Sequence, residues 1–218
     1  MSFTLNEVES VGSKAARGAG LNWGLAEEAG KAARWLAARW LPGPGLLAGL
    51  LVRIEGLPYA DLAPISVDEV WTAGSGVLCP LIAGATLADR AAEIVAGREF
   101  ALAAAAYPLL LAPYAEIIAG QGQITVELAW PGVTLAVSPD GGFELDGSDI
   151  AVVTATASQL QCRAATDNIV NPAPEIPVRC AVDASVWAVL NRFAQRTYAP
   201  ATVESRELGA GADLIDSE

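Results

Sequence analysis

Residues 124–154 read I-T-V-E-L-A-W-P-G-V-T-L-A-V-S-P-D-G-G-F-E-L-D-G-S-D-I-A-V-V-T. Three runs in it, 124–128, 133–137 and 150–154, alternate apolar with polar side chains or carry β-branched residues, the period-two pattern of a half-buried strand. Pro131-Gly132 and the stretch from Pro139 to Gly142 separate them. Proline presets φ and glycine supplies positive φ, so these are turn sequences, and the region is expected to fold as antiparallel hairpins. Residues 100–105 offer a further strand and residues 178–182 a short one.

Upstream the period changes to that of helices. Thr4-Leu5-Asn6-Glu7 has the form of a capping box, and Leu5, Val8, Val11 and Ala15 follow at helical spacing, which predicts a helix over 5–17. Gly18 and Gly20 stop it, Asn22 is a good N-cap, and a second helix is expected over 23–40 before Pro42 and Pro44. Its small residues Ala26, Ala29, Gly30, Ala33 and Ala37 allow close helix approach. A short helix within 46–54, one over 81–96 behind Pro80, one over 109–118 and a last one after Asp183, with Trp187, Leu190, Ala194 and Tyr198 on one stripe, complete the pattern. The expected architecture is α+β: an N-terminal helical hairpin and further helices packed on a mainly antiparallel sheet, with a C-terminal helix and extended arm. It is expected as one domain, 1–218, with a hairpin layer over 1–53, a sheet-rich part over 98–182, a final helix over 183–198 and an arm over 199–218.

At 218 residues and 53% hydrophobic content the chain has enough apolar surface for one substantial core. The longest apolar run, 100–113, is interrupted by Pro108 and Pro113 and falls short of the roughly 18 residues of a membrane span, so no membrane association is expected. The first residues are acidic where a secretory signal is basic, and a cytoplasmic location is expected. Cys79, Cys162 and Cys180 match neither a zinc ribbon nor a C-x-x-C motif and are expected as reduced thiols. The chain has no histidine, which argues against zinc hydrolases and serine-histidine triads. Residues 1–53 hold six basic and four acidic side chains, and residues 54–218 hold seven and twenty-one. The net charge of -12 repels phosphate backbones, so nucleic acid is not expected as a partner. The basic N-terminal part suits a small anionic metabolite.

Candidate chemistry gathers at three places. At the helix-to-helix junction, Arg17 and the free N–H groups opening the second helix suit an anion, with Glu27 and Lys31 at i, i+4. The competing structural account is complete too: glycines end a helix, Trp23 staples the hairpin and surface charges pair. Cys79 precedes Pro80 at a helix start, where the dipole lowers a thiol pKa and favours a nucleophilic thiolate; a small buried side chain is the plainer reading. Tyr198, Ser205 and Arg206 gather hydroxyls and a guanidinium near Gly209 and Gly211, a set suited to a carboxylate or phosphate, or equally a helix end followed by an arm. Asp140, Glu144, Asp146 and Asp149 surround a turn but lack EF-hand spacing. No metal and no cofactor is assigned.

The segments S-F-T-L-N-E-V-E, R-G-A-G-L-N-W-G-L-A-E-E-A-G-K-A-A-R-W-L, L-C-P-L-I-A-G-A-T-L-A-D-R-A and R-T-Y-A-P-A-T-V-E-S-R-E-L-G-A-G-A resemble an uncharacterised bacterial family of similar length, a domain of unknown function. That resemblance implies no activity. The opening 40 residues also look like the first hairpin of the type-2 malate/lactate dehydrogenases, but the S-H-G that follows there is missing here, so no catalytic residue carries over. Two readings stand. One is a small-molecule enzyme or enzyme subunit acting on an anionic metabolite, with Arg17, Lys31, Arg206 and Ser205 binding charge, Tyr198 or Glu27 moving protons and Cys79 as nucleophile. The other is a non-catalytic assembly or accessory protein, a homo-oligomer or partner subunit, that makes contact through Trp23, Trp35, Trp40 and the C-terminal arm.

Overall fold

A computed structural model describes residues 1–165 and 171–198. The chain opens with β1 (Ser2–Thr4) and turns directly into α1 (Leu5–Gly18) at a complete capping box. The Thr4 hydroxyl accepts from Glu7 N, while the Glu7 carboxylate accepts from Thr4 N at 2.7 Å. The tight turn at Ala19–Asn22 leads to α2 (Trp23–Ala37), whose N-cap Asn22 accepts from Leu25 N at 2.9 Å. Then come α3 (Gly43–Ile54), the single turn α4 (Tyr59–Leu62), α5 (Pro80–Asp89), α6 (Ala91–Val95), α7 (Ala112–Gly122), α8 (Asp149–Val152) and α9 (Ala184–Ala194).

The strands are β2 (Phe100–Ala106), β3 (Val126–Trp130), β4 (Val133–Val137), β5 (Phe143–Gly147), β6 (Thr156–Ala164) and β7 (Arg179–Ala181). Five of them make an antiparallel sheet in the order β2-β6-β3-β4-β5; β1 and β7 form a separate antiparallel pair. The far side of β2 meets Trp71 and Leu78 through isolated parallel bridges. The fold is therefore α+β with a mainly antiparallel sheet. The α1–α2 hairpin, α3 and α9 form a helical layer; α2 touches α5 and α7, and α7 lies on β3 and β4. Phe100, Cys162, Leu128 and Leu135 fall on one register row of the sheet and are all buried, which fixes its inner face.

Close packing of the helical layer rests on glycines. Gly12 and Gly30 face each other where α1 crosses α2, and a Cβ on Gly12 would sit 3.2 Å from Gly30 Cα. Phe193 of α9 lies on Gly18, and Phe3 stacks on Trp187 with ring centroids 3.7 Å apart, so the last helix is held against the first strand and helix.

Several elements depart from the sequence expectation. Residues 150–154 are no strand: Ser148 caps α8, accepting from Ala151 N at 3.4 Å, and a local cap outweighs the β-branched composition. The helix expected over 81–96 breaks at Arg90, giving α5 and α6. α2 ends at Ala37, three residues short of Trp40, because the chain turns into a left-handed cap. β1 and β5 were not expected, and around Cys162 only a β-like segment without bounds was expected where β6 lies. The arm over 199–218 lies outside the described residues.

Candidate functional site

The hairpin junction is closed by its own groups. Arg17 Nη1 donates to the Leu21 carbonyl at 2.8 Å and its guanidinium lies 4.9 Å from the Trp23 ring centroid. One of the α2 N-terminal amides expected to meet an anion is taken by Asn22. Lys31 stands two turns further along α2, beside the middle of α1. Its partner is Glu28 at i, i+3, 2.8 Å away, rather than Glu27 at i, i+4. That hydrogen bond, with the charge of Glu28, raises the Lys31 pKa. Glu27 is exposed. Glu9 binds Arg34 at 2.7 Å on the same surface.

Cys79 sits at the opening of α5, where its side chain makes no cap hydrogen bond and the nearby amides of Ile82 and Leu81 favour the thiolate, the direction of the dipole argument. Burial outweighs them. With 1% of its surface exposed, the thiol's pKa is raised rather than lowered, because removing a thiolate from water costs more than two amides return. Burial also pushes the Cys162 thiol up to about 12, and raises Cys180, which is half-buried. Tyr114, near Cys79, is buried with an unpartnered hydroxyl, and its pKa is raised first by burial and then by Glu28 and Cys79. At pH 8 Ellman's reagent is expected to leave Cys79 and Cys162 unmodified in the folded chain and to react with all three cysteines in urea. Fast labelling of Cys79 in the folded chain would contradict this. Both buried thiols hold their protons more tightly folded than unfolded. Their contribution to stability is therefore complete below about pH 8.5, the ordinary thiol value, and is lost as pH rises beyond it.

Tyr198 is exposed at the end of the described chain, its ring 5.6 Å from Lys14 Nζ on α1. Arg196 reaches the Gly18 carbonyl and Glu55. Tyr198 thus belongs to the same end of the molecule as the junction, whereas Ser205 and Arg206 lie outside the described residues. Asp140 accepts from Ser138 Oγ and from Gly142 N at 3.3 Å, bonds that lower its pKa. Among the described residues no three His, Cys, Asp or Glu side chains are grouped to hold a metal.

Two features lie beyond what sequence reasoning found. The first is a clamp between layers. The Trp35 indole N–H donates to Glu116 on α7, Arg39 Nη2 donates to the other Glu116 oxygen at 3.0 Å and to the Gly141 carbonyl at 3.3 Å, and the guanidinium stacks 3.6 Å from the Trp35 ring. Phe143 meets Trp35 edge to face. Burial lowers the Arg39 pKa against the pull of Glu116. The second is an open groove of about 930 Å³ on the outer sheet face, floored by Ala101, Ala103 and Ala129 and edged by Gln159, Gln161 and Asp146.

Trp40 is the least expected residue of all. It has φ 62° and 72% of its surface exposed. Leu41 N donates to Leu36 O at 2.9 Å and Trp40 N to Ala37 O at 3.2 Å, the paired bonds of a Schellman cap. Trp40 fills the left-handed position of that cap, where glycine is the usual occupant.

Strand order, helical layers and the α1–α2 hairpin define an α+β protein without a described helix long and apolar enough to cross a membrane. Residues 3–76, about a third of the chain, match the model of a family described as "Protein of unknown function (DUF3726)". The matched part carries the junction, Trp23, Trp35, Arg39 and Trp40, and stops before Cys79 and Tyr198. In a comparison with curated proteins, none matches the chain.

Proposed function

We propose that this is a cytoplasmic, non-catalytic assembly or accessory protein that docks on a second copy or a partner subunit through Trp40. One observation carries the reading: an indole stands in solvent on a backbone conformation where glycine costs less. A left-handed non-glycine residue costs roughly 1 to 2 kcal/mol, and an exposed indole forgoes the burial that makes tryptophan stabilising. Tryptophan is also the residue most enriched among interface anchors. Folding alone gives no reason for it at this position.

Trp40→Gly is expected to raise stability by about 1 kcal/mol through relief of the left-handed strain, read as a higher urea midpoint. A photo-crosslinking residue placed at position 40 in cells is expected to give an adduct, of doubled mass for self-assembly or of another mass for a partner subunit. A destabilised Trp40→Gly chain, or the absence of any adduct, would count against the proposal.

The reading as an enzyme acting on an anionic metabolite draws support from one contact, Tyr198 beside Lys14 at the basic end of the molecule. In it Arg17, Lys31, Ser205 and Arg206 bind charge and Tyr198 or Glu27 moves protons. The buried, protonated Cys79 thiol is its least favoured participant.

A further inference from the structure

We infer that residues 199–218 dock on their own chain, in the trough between the α1–α2 turn and the α3–α4 corner. Two adjoining pits form this trough. One, of about 190 Å³, lies between Gly20, Leu21 and Asn22 on one side and Ile54, Leu57 and Tyr59 on the other. The second, of about 130 Å³, shares Ile54 and Leu57 and reaches Arg53. Both are smaller than the roughly 300 Å³ at which small-molecule sites begin, so they suit single side chains of a polypeptide. Leu57 and Tyr59 stand 42% and 57% exposed at the rim, apolar surface with no described neighbour covering it.

The chain arrives at this place. Arg196 bonds Glu55 at 2.5 Å and the Gly18 carbonyl at 3.5 Å, and these residues adjoin Ile54 and Ala19 on opposite walls of the first pit. The twenty residues beyond Tyr198 span up to about 65 Å when extended, ample to cross it.

Charge points the same way. Lys14, Arg17 and Arg53 make no ion pair with a carboxylate among the described residues; Arg17 and Arg53 donate only to neutral oxygens, and Lys14 lies over Tyr198. In a chain of net charge -12, three cations with no carboxylate partner among the described residues are a clear imbalance. The segment supplies the complement, with Glu204, Glu207, Asp213, Asp216 and Glu218 against Arg206 alone, and with Val203, Leu208, Leu214 and Ile215 between them. Apolar anchors in the pits, with carboxylates over Arg53 in the second pit and over Arg17, which bonds the Leu21 carbonyl in the wall of the first, account for both features.

Hydrogen exchange of the full chain read by mass spectrometry tests this independently of any role of Trp40. In a full-length Val203→Asp/Leu208→Asp variant, peptides covering residues 20–25 and 57–62 are expected to exchange about tenfold faster, with β3 and β4 unchanged. An Arg53→Glu variant is expected to move the same peptides in the same direction. Unchanged rates in the first variant, or faster exchange throughout the chain, would overturn the inference. Protection that rises with protein concentration would place the segment on a second copy and overturn docking within the chain.

Discussion

Glu116→Ala is expected to cost about 2 kcal/mol of stability, less than the roughly 3 kcal/mol or more of a fully buried ion pair, because Arg39 is buried while the Glu116 side chain is 31% exposed. The size follows from how many groups one carboxylate serves. One oxygen takes the Trp35 indole N–H and the other takes Arg39, whose side chain is only 10% exposed. Alanine leaves that guanidinium with the Gly141 carbonyl and the face of Trp35 as its remaining partners, and it has no means of losing its charge at ordinary pH. Glu116→Gln keeps an acceptor for the indole and is expected to lose about half as much. The double variant Glu116→Leu/Arg39→Met removes both charges together and is expected to be more stable than Glu116→Ala, the non-additivity of a coupled pair. Urea unfolding of the set measures this. As a control, Glu28→Ala breaks a pair whose cation, Lys31, is 55% exposed against 10% for Arg39, and is expected to cost less than about 0.5 kcal/mol. Equal losses for Glu116→Ala and Glu28→Ala would show that the clamp contributes no more than a surface pair.

The clamp also marks where sequence stops being informative. Trp35 and Arg39 read as one bulky and one charged residue on a helix, and Glu116 as a charge on another 77 residues away; nothing local joins them. The capping box at Thr4 and Glu7 and the Asn22 cap were legible because their partners lie three residues apart. β4 was legible as V-T-L-A-V, and β3 in its alternation, because both flank a proline-glycine turn, although β3 runs over V-E-L-A-W, two residues beyond the 124–128 expected. β6 was not legible in its bounds. Its pattern breaks at Ser158 and Gln159, both outward-facing, where Gln159 takes φ 54° and the buried side moves from Leu160 to Ala157. The paired strand makes the same shift, from Leu102 to Ala105, so the register Leu102↔Leu160 and Ala105↔Ala157 survives while the period of two does not. For the candidate site, the helix-start position of Cys79 was readable, but its pKa is set by burial, which depends on neighbours from other elements. Lys31 shows the same limit on a smaller scale. Glu27 and Glu28 are both within helical reach of it, and the rotamers decide for Glu28.

Gly30→Ala tests the most consequential legible feature, the run of small residues along α2. A Cβ at Gly30 would fall inside contact distance of Ser13 Oγ and the Glu9 carbonyl and 2.9 Å from Ser13 N. Ser13 can rotate its hydroxyl away. The Glu9 and Ser13 backbone atoms belong to α1 and yield only if the helices separate, which would loosen the buried neighbours Val8, Ala29 and Ala33. Overpacking of this kind costs about 3 kcal/mol, or on the order of 10 °C in Tm for a chain of this size. Gly24→Ala in the same helix makes the same chemical change, but its Cβ would find nothing nearer than the Asn22 side chain at 3.8 Å. There the gain in helix propensity is unopposed, and the variant is expected to be stabilised by about 0.5 kcal/mol. Opposite signs for the two substitutions in thermal unfolding would attribute the cost at Gly30 to the α1–α2 contact rather than to the residue type. A neutral Gly30→Ala would mean that the hairpin can open by half an ångström or so without loss, and that the small residues of α2 do not set its spacing.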